Sequence, residues 1–438
     1  MSTSAKVMLW GRQIGAVTWV AERRIGVFQY TPEFARSGIE VAPLRMPLST
    51  LPREFPELPF ATFHGLPGLL ADSLPDKFGH ALIDAWLARQ GRTAESFDPV
   101  ERLCYVGHRG MGALEFEPAL APGSVKRDAP LQIEALVELA SSVLRERETL
   151  SGVMGTDKDA AELEDILRVG TSAGGARAKA LVAWNRSTGE YRSGQLPSAP
   201  GFEQWLLKFD GVDANRDKEL ADPQGYGRIE YAYHLMAQAA GIDMTECRLH
   251  EEGGRAHFMT RRFDRTADGS RLHMQSLGAL AHYDYNAAGA YSYEQALQVM
   301  LRLGLDVSQT EQQVRRTLFN VVARNQDDHV KNIAFLMDKA GRWRLAPAFD
   351  VIYSFNPDGA WTGRHQMTIN GRRDDFDVED LCAMGAVGNV KAMRTRRMLA
   401  EVCEAVGGWT SFAEQAGVPD ADAARIRKTF RVDLAAQG

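Results

Sequence analysis

Polar and apolar residues alternate over the first thirty positions and fall into helical spacing further along, and these changes of period outline the elements. Val7-Met-Leu-Trp10 and Ile14-Gly-Ala-Val-Thr-Trp-Val20 flank Gly11-Arg12-Gln13, which reads as a hairpin, and Ile25-Gly-Val-Phe-Gln-Tyr30 adds a strand. Residues 66–74, with Pro67, Gly68 and Pro75, lead into a helical stretch around 80–89. Residues 131–146 and 159–168, rich in Glu, Leu, Ala and Arg, suit helices. After Gly170 a Gly-rich loop precedes the strand Ala180-Leu-Val-Ala-Trp184, a turn through Ser187-Thr-Gly189, and the strand Gln204-Trp-Leu-Leu-Lys208-Phe. That is the local order of a nucleotide-binding lobe. Over 228–240, Ile229, Ala232, Tyr233, Met236 and Ala240 share a helical face, and Gly241 supplies the stop. Residues 257–265 read as a strand running into a connector. Beyond about 276 the pattern is mainly helical, with Val314, Leu318, Val321 and Val322 forming a stripe that ends at Asn325.

The fold class expected from this order is α+β, divided into a β-rich segment 1–120, the remainder of a nucleotide-binding lobe at 121–225, and a helical lobe 226–438. The last boundary is drawn near residues 218–228. Internal repeats and long Pro/Ser linkers are lacking, which predicts lobes that pack tightly.

Composition narrows the function classes. The 438 residues are 45% hydrophobic and 25% charged, as in ordinary globular proteins. With 51 basic and 57 acidic residues the formal net charge is −6, which argues against holding nucleic acid through bulk charge. Cys104, Cys247, Cys382 and Cys403 lie far apart and suggest neither a disulfide framework nor a zinc site. No apolar run approaches a membrane span, and the start does not resemble a secretory signal, so the expected location is the cytoplasm.

The chemistry concentrates in Asn325-Gln-Asp327-Asp328-His329-Val-Lys331-Asn332 and in Ala348-Phe349-Asp350. Phosphoryl transfer from ATP needs a carboxylate to orient the attacking hydroxyl, and an amide oxygen and a second carboxylate to hold Mg²⁺. The five-residue step from Asp327 to Asn332 equals that of a protein-kinase catalytic loop. An Asp-Asp-His run alone is also what a solvated turn or a metal-hydrolase site looks like. The spacing, with Asp350 behind the hairpin-like 332–346, favours the kinase. Asp327 is then the catalytic group, Lys331 steadies γ-phosphate charge, His329 braces the loop, and Asn332 and Asp350 are the metal ligands. Asp328 is either a second metal-side acid or a structural cap.

Lys208 followed by Glu230 on the next helix has the order of the kinase ion pair on the α/β-phosphates. A lone strand lysine also covers apolar surface with its stem, and Glu230 could instead favour its helix N-terminus. The loop Gly170-Thr-Ser-Ala-Gly-Gly-Ala-Arg177 matches neither a Walker A nor a G-x-G-x-x-G sequence. On composition a flexible linker or hairpin turn fits as well as phosphate contact by Gly174, Gly175, Arg177 and Lys179, and Thr171 and Ser172 are candidate phosphorylation sites. Arg262 and Phe263 lie at the end of a strand whose backbone could face adenine, although by sequence alone 257–265 reads more readily as a buried strand with a charged end. Residues 66–76 and 105–112 look irregular and specific, without an assignable role.

Together these segments resemble the HipA family of bacterial Ser/Thr kinases, the toxin half of HipA–HipB toxin–antitoxin pairs. The resemblance spans nearly the whole chain: the β-rich start, Gly-Leu-Leu-Ala-Asp-Ser-Leu-Pro-Asp, Tyr105-Val-Gly, the Gly-rich loop, Arg262-Phe-Asp-Arg, Asn-x-Asp-Asp-His-x-Lys-Asn and Ala-Phe-Asp350. It implies a protein-kinase-like fold with a mixed N-terminal lobe, an extra β subdomain and a helical C-terminal lobe. It further implies Asp327 as catalytic aspartate, Asn332 and Asp350 on Mg²⁺, Lys208 on ATP phosphates, and Ser172 as an autophosphorylated serine whose modification silences the enzyme. The expected protein substrate is an aminoacyl-tRNA synthetase, with growth arrest or persistence as the outcome. The expected partner is a HipB-like helix-turn-helix antitoxin, with DNA reached only through it. The loop reads Ala-Gly-Gly-Ala-Arg-Ala-Lys179, which departs from some family versions before the lysine. Two other readings stay open: a small-molecule kinase on the same fold, and a non-catalytic corepressor acting with a DNA-bound antitoxin.

Overall fold

The computed structural model describes residues 3–75, 77–120, 130–146, 166, 169–170, 177–196, 200–212 and 224–437. Thr171, Ser172, Gly174 and Gly175, and the expected helix 159–168 apart from Ile166, lie outside the described residues. Two compact units are present. The first comprises Met1–Gln224, His250–Gln275 and Met337–Gly341, and the second Gly225–Leu249, Ser276–Leu336 and Arg342–Gly438.

The first unit opens with β1 (Ser4–Leu9), β2 (Arg12–Val20) and β3 (Ile25–Tyr30), joined as the alternation predicts. β4 (Leu114–Glu117) pairs antiparallel with β1, so the sheet order is β3-β2-β1-β4. Gly15 is required in β2, because a Cβ there would stand 2.6 Å from the ring of Phe28. The second sheet holds β5 (Lys179–Asn185), β6 (Tyr191–Ser193), β7 (Phe202–Lys208), β8 (Cys247–Glu252) and β9 (Arg255–Arg261), in the order β6-β5-β7-β9-β8. β7 is therefore central rather than an edge. Period-2 alternation sends Ala180, Val182 and Leu207 into a core with Phe78 and Leu82 of the helix Lys77–Arg89 and Ile133 and Leu136 of the helix Ile133–Glu146. Each buried Leu or Val there contributes about 1.5–3 kcal/mol. Lys179 and Lys208 fall on the opposite face, since their neighbours occupy the core face.

Residues 105–112, which had no legible role, are a fastening point. Gly112 donates its amide to Asp264 Oδ2 at 2.7 Å, and Arg265 donates to the carbonyls of Gly112 at 2.9 Å and Gly110 at 3.2 Å. Gly112 has φ +73°, and a Cβ on it would meet the backbone nitrogen of Met274 at 3.1 Å. Only glycine suits that turn. Asp264 is fully buried; desolvation alone would raise its pKa, but the charges of Arg262 and Arg265 win and hold it far below the usual carboxylate range.

In the second unit the helix Val307–Val322 starts where Asp306 caps the amides of Ser308 and Gln309 at 3.0 and 3.2 Å. Its stripe of Val314, Leu318, Val321 and Val322 is completely buried. The helix ends at Ala323, and Arg324 takes a left-handed conformation (φ +57°) that turns the chain into the loop beyond. A non-glycine residue there costs on the order of 1–3 kcal/mol. Arg324 offsets this by donating Nε to the Thr429 carbonyl at 2.9 Å and by lying 4.5 Å over the Phe355 ring. The helix Tyr226–Ala239 packs Ile229, Ala232, Tyr233 and Met236 inward and stops before Gly241, which has φ +78°. The Tyr233 hydroxyl, in the core, donates to the Ala323 carbonyl at 2.6 Å. Tyr233→Phe leaves that carbonyl without its donor, and urea unfolding is expected to register a loss of about 1–2 kcal/mol. An unchanged midpoint would show that the bond adds nothing net.

Candidate active site

Four of the phosphotransfer candidates, Asp327, His329, Lys331 and Asn332, lie in one loop after the helix Val307–Val322. Asp327 is half-buried, and its Oδ1 accepts the indole N–H of Trp361 at 2.8 Å. His329 Nε2 stands 3.8 Å from the same oxygen. His329 Nδ1 accepts the backbone N–H of Lys331 at 3.3 Å, and its ring lies 5.8 Å from that of Tyr285. This histidine braces the loop. Lys331 extends over the Tyr285 ring, with Nζ 5.2 Å from the centroid. Asn332 donates Nδ2 to the Asp327 carbonyl at 2.8 Å, and its amide bonds the His329 carbonyl at 2.9 Å. The five-residue spacing is thus closed by a side chain that returns to the residue from which the count begins.

Asp328 faces inward and resolves the choice left by the sequence: it is a structural anchor. Its carboxylate accepts from Tyr293 OH at 2.7 Å, His365 Nδ1 at 2.8 Å and the Gln366 amide at 2.7 Å. Burial pushes its pKa up, yet His365 and the two other donors outweigh this and hold it below the ordinary carboxylate value. With three donors around it and no exposed surface, it has no room for a metal.

Asn332 and Asp350 offer an amide oxygen and a carboxylate. Because Nδ2 of Asn332 is committed to Asp327, its oxygen is the atom left to coordinate. Asp350 follows Ala348, whose amide bonds the Asp243 carbonyl at 2.8 Å and which pairs with Met244 in a parallel bridge. Asp350 itself is left-handed at φ +52°. Hard oxygen donors of this kind fit Mg²⁺, which takes one or two protein groups and completes its shell with phosphates and water. Among the described residues no group of three or more His, Cys, Asp or Glu converges on a metal position. Asn332 and Asp350 each offer one hard oxygen donor, the partial kind of ligand set that an ion shared with a nucleotide uses. Glu230 is buried at 2% exposure in the second turn of the helix Tyr226–Ala239.

The nucleotide-binding candidates of the first unit meet on the sheet. Lys179 and Lys208 are directly opposite in the β5–β7 register, and Phe258 of β9 is opposite Lys208. Exposures are only 3% for Lys179 and 8% for Lys208, and Lys208 Nζ lies 5.7 Å from the Phe258 ring centroid. Two cations at one register position of the sheet are the kind of group that a polyphosphate recruits. Arg177 is half-buried two residues before Lys179. Arg262, expected at the nucleotide, is instead committed to Asp264 through two bonds of 2.9 and 2.7 Å, with its amide on the Gln204 carbonyl at 2.9 Å. Its guanidinium is drawn inward because a buried carboxylate needs a charged, two-pronged partner. Phe263 beside it is half-buried.

Trp361, His365, Gln366 and Tyr293 had not been singled out. For the first three the signal is loop length: from Ala346 to Asp377 the chain forms turns and bridges only, and such long irregular stretches in compact units are commonly functional. Tyr293 opens the helix Tyr293–Arg302 and carries no such signal.

Comparison with known proteins bears on family and fold. The HipA-like C-terminal domain matches residues 171–410, and the HipA N-terminal domain matches residues 5–117. A relative bearing the name "Putative kinase Y4mE", from Sinorhizobium fredii, is 25% identical over 126 residues. That stretch is 27% of this chain and 30% of the relative, so the chain spans less than a third of that protein's length in the match. A chain of the Shewanella oneidensis MR-1 toxin–antitoxin complex of HipA, HipB and operator DNA shares the fold with TM-score 0.66 and 16% identity, covering 99% of this chain and 96% of that one. With the C-terminal family domain alone matching over half of its residues, and the N-terminal one beside it, the chain belongs to the HipA family.

Proposed function

We propose that the protein is an ATP- and Mg²⁺-dependent serine/threonine protein kinase, the toxin of a toxin–antitoxin pair. The observation that carries this reading is the closed loop of Asp327 and Asn332: a carboxylate held by one oxygen, and an amide oriented by its nitrogen with the oxygen left for a metal. In the reaction Asp327 orients the acceptor hydroxyl and takes its proton as the oxygen attacks the γ-phosphorus, and the bond to ADP breaks. Asn332 and Asp350 would hold Mg²⁺, which would supply neutralisation of the phosphate charge. Lys331 steadies the γ-phosphate. Lys208, Lys179 and Arg177, with the Gly174-Gly175 loop, grip the phosphates, and Phe263 faces adenine. Ser172 is the self-modified residue, where an added phosphate would draw Arg177 and Lys179 away from the nucleotide.

The substrate class is a translation protein such as an aminoacyl-tRNA synthetase, and the regulator a helix-turn-helix antitoxin that alone contacts DNA. Both come with the family and suit a cytoplasmic protein of net charge −6. Among the described residues no helix is long and apolar enough to cross a membrane. The kinase name of the Sinorhizobium fredii relative and the setting of the Shewanella oneidensis complex accord with this reading.

The test is phosphate transfer from γ-labelled ATP with Mg²⁺ in bacterial lysate. Label on a synthetase-sized protein, absent with Asp327→Asn, is the expected result, together with self-label that disappears in Ser172→Ala. Labelled metabolites without labelled protein would turn the assignment to a small-molecule kinase. ATP binding with no Asp327-dependent transfer would point to a corepressor.

A further inference from the structure

We propose that Trp361 is a positioning residue for Asp327, an inference that rests on the phosphotransfer reading above. A carboxylate that takes a proton from a hydroxyl must present one oxygen in a defined direction, and the terminal torsion of Asp is broad unless the other oxygen is held. Trp361 Nε1 donates to Oδ1 at 2.8 Å, and His329 Nε2 approaches that same oxygen at 3.8 Å. Among the described residues none hydrogen-bonds Oδ2. The indole suits this task because it is a donor only and never competes for the acceptor's proton.

Trp361 keeps its place because its segment is fastened to the neighbouring acid. His365 Nδ1 and the Gln366 amide bond Asp328 at 2.8 and 2.7 Å. The Gln366 side-chain amide in turn donates to the carbonyls of Arg364 at 3.0 Å, Gln326 at 3.2 Å and Trp361. The two adjacent acids therefore divide the work. Asp328, inside, holds segment 361–366, and Trp361 from that segment aims Asp327. A side chain that merely blocked the site would cover both carboxylate oxygens, whereas this contact takes one.

The test replaces Trp361 in the full chain by Phe and by β-(3-benzothienyl)alanine, which keeps the bicyclic shape and puts sulfur where the N–H stands. Measured on each are kcat for Asp327-dependent transfer from γ-labelled ATP to lysate protein, KM for ATP, and the melting midpoint. Both replacements are expected to lower kcat on the order of 10–100-fold, as loss of an orienting partner does, with KM for ATP unchanged. The benzothienyl variant should keep the wild-type melting midpoint, which a purely structural role would also allow, but with full kcat. Separately, the indole ¹H–¹⁵N resonance of Trp361 is expected to move in Asp327→Asn. Wild-type kcat in the benzothienyl variant, or an unmoved resonance, overturns the positioning role and leaves the kinase reading intact. Absence of Asp327-dependent transfer in the wild type overturns both.

Discussion

Asp327→Asn is expected to lower kcat for phosphate transfer by about 10²–10⁴-fold, the range over which a positioned proton acceptor acts. The substitution keeps the shape of the side chain. Its amide oxygen still accepts the Trp361 indole N–H now found at 2.8 Å, and the Asp327 backbone carbonyl still receives Asn332 Nδ2. What changes is the second oxygen, which becomes an NH₂ donor facing the acceptor hydroxyl. KM for ATP should hold, because the proposed phosphate-binding lysines Lys179 and Lys208 belong to β5 and β7, away from the Asp327 loop in the chain, and are unchanged. The check is steady-state kinetics beside a thermal melt. Full turnover in the variant would remove Asp327 from the chemistry; loss of turnover accompanied by a collapsed melt would make its role one of folding.

Asp328→Ala should leave the chain much less stable, by about 3–5 kcal/mol, because removing one member of a buried charge-assisted cluster strands the others. Tyr293 OH, His365 Nδ1 and the Gln366 amide would each lose their acceptor in a dry interior. Asn320 bonds the Tyr293 hydroxyl at 3.0 Å, which keeps that group partly satisfied and argues for the lower end. Denaturant unfolding measures the loss. Its pH dependence follows from the direction of the shift. The folded-state pKa of Asp328 lies below the unfolded value of about 3.9. The stabilisation is therefore fully present above the unfolded value and is lost as pH falls through the folded one. The gap between wild type and variant should be constant from neutral pH to about 5 and narrow below about 4. A gap that widened on acidification would contradict the assignment of the ionised form to the folded state.

Paired acids at 327 and 328 thus have opposite fates although the sequence presents them as equals. Their neighbours in the chain are common to both, and nothing local distinguishes them. The helix Val307–Val322 delivers the loop, and Arg324 turns it so that one acid faces outward and the next meets Tyr293, His365 and Gln366. Two of those partners come from more than thirty residues downstream. The same holds for Arg262, whose motif was legible while its partner was not. Asp264 is two residues away, but the clamp has its purpose only through Gly110 and Gly112, some 150 residues earlier.

The elements themselves were largely readable because their determinants are local. Alternation marked β1 to β3, helical spacing marked Tyr226–Ala239 and Val307–Val322, and the Asp-to-Asn step needed only a count along one loop. The short strands Tyr191–Ser193 and Leu114–Glu117 carry too few residues for a period to show, and they exist through pairing with β5 and β1. By itself, then, the sequence determined the longer strands and helices, the loop that gathers the candidate catalytic residues, and the family. The tertiary structure alone decided which of two adjacent acids is held inside, which tryptophan meets the other, and which two lysines face each other across a sheet. Those are contacts between positions distant in the chain, chosen by burial and hydrogen-bond satisfaction rather than by any local preference.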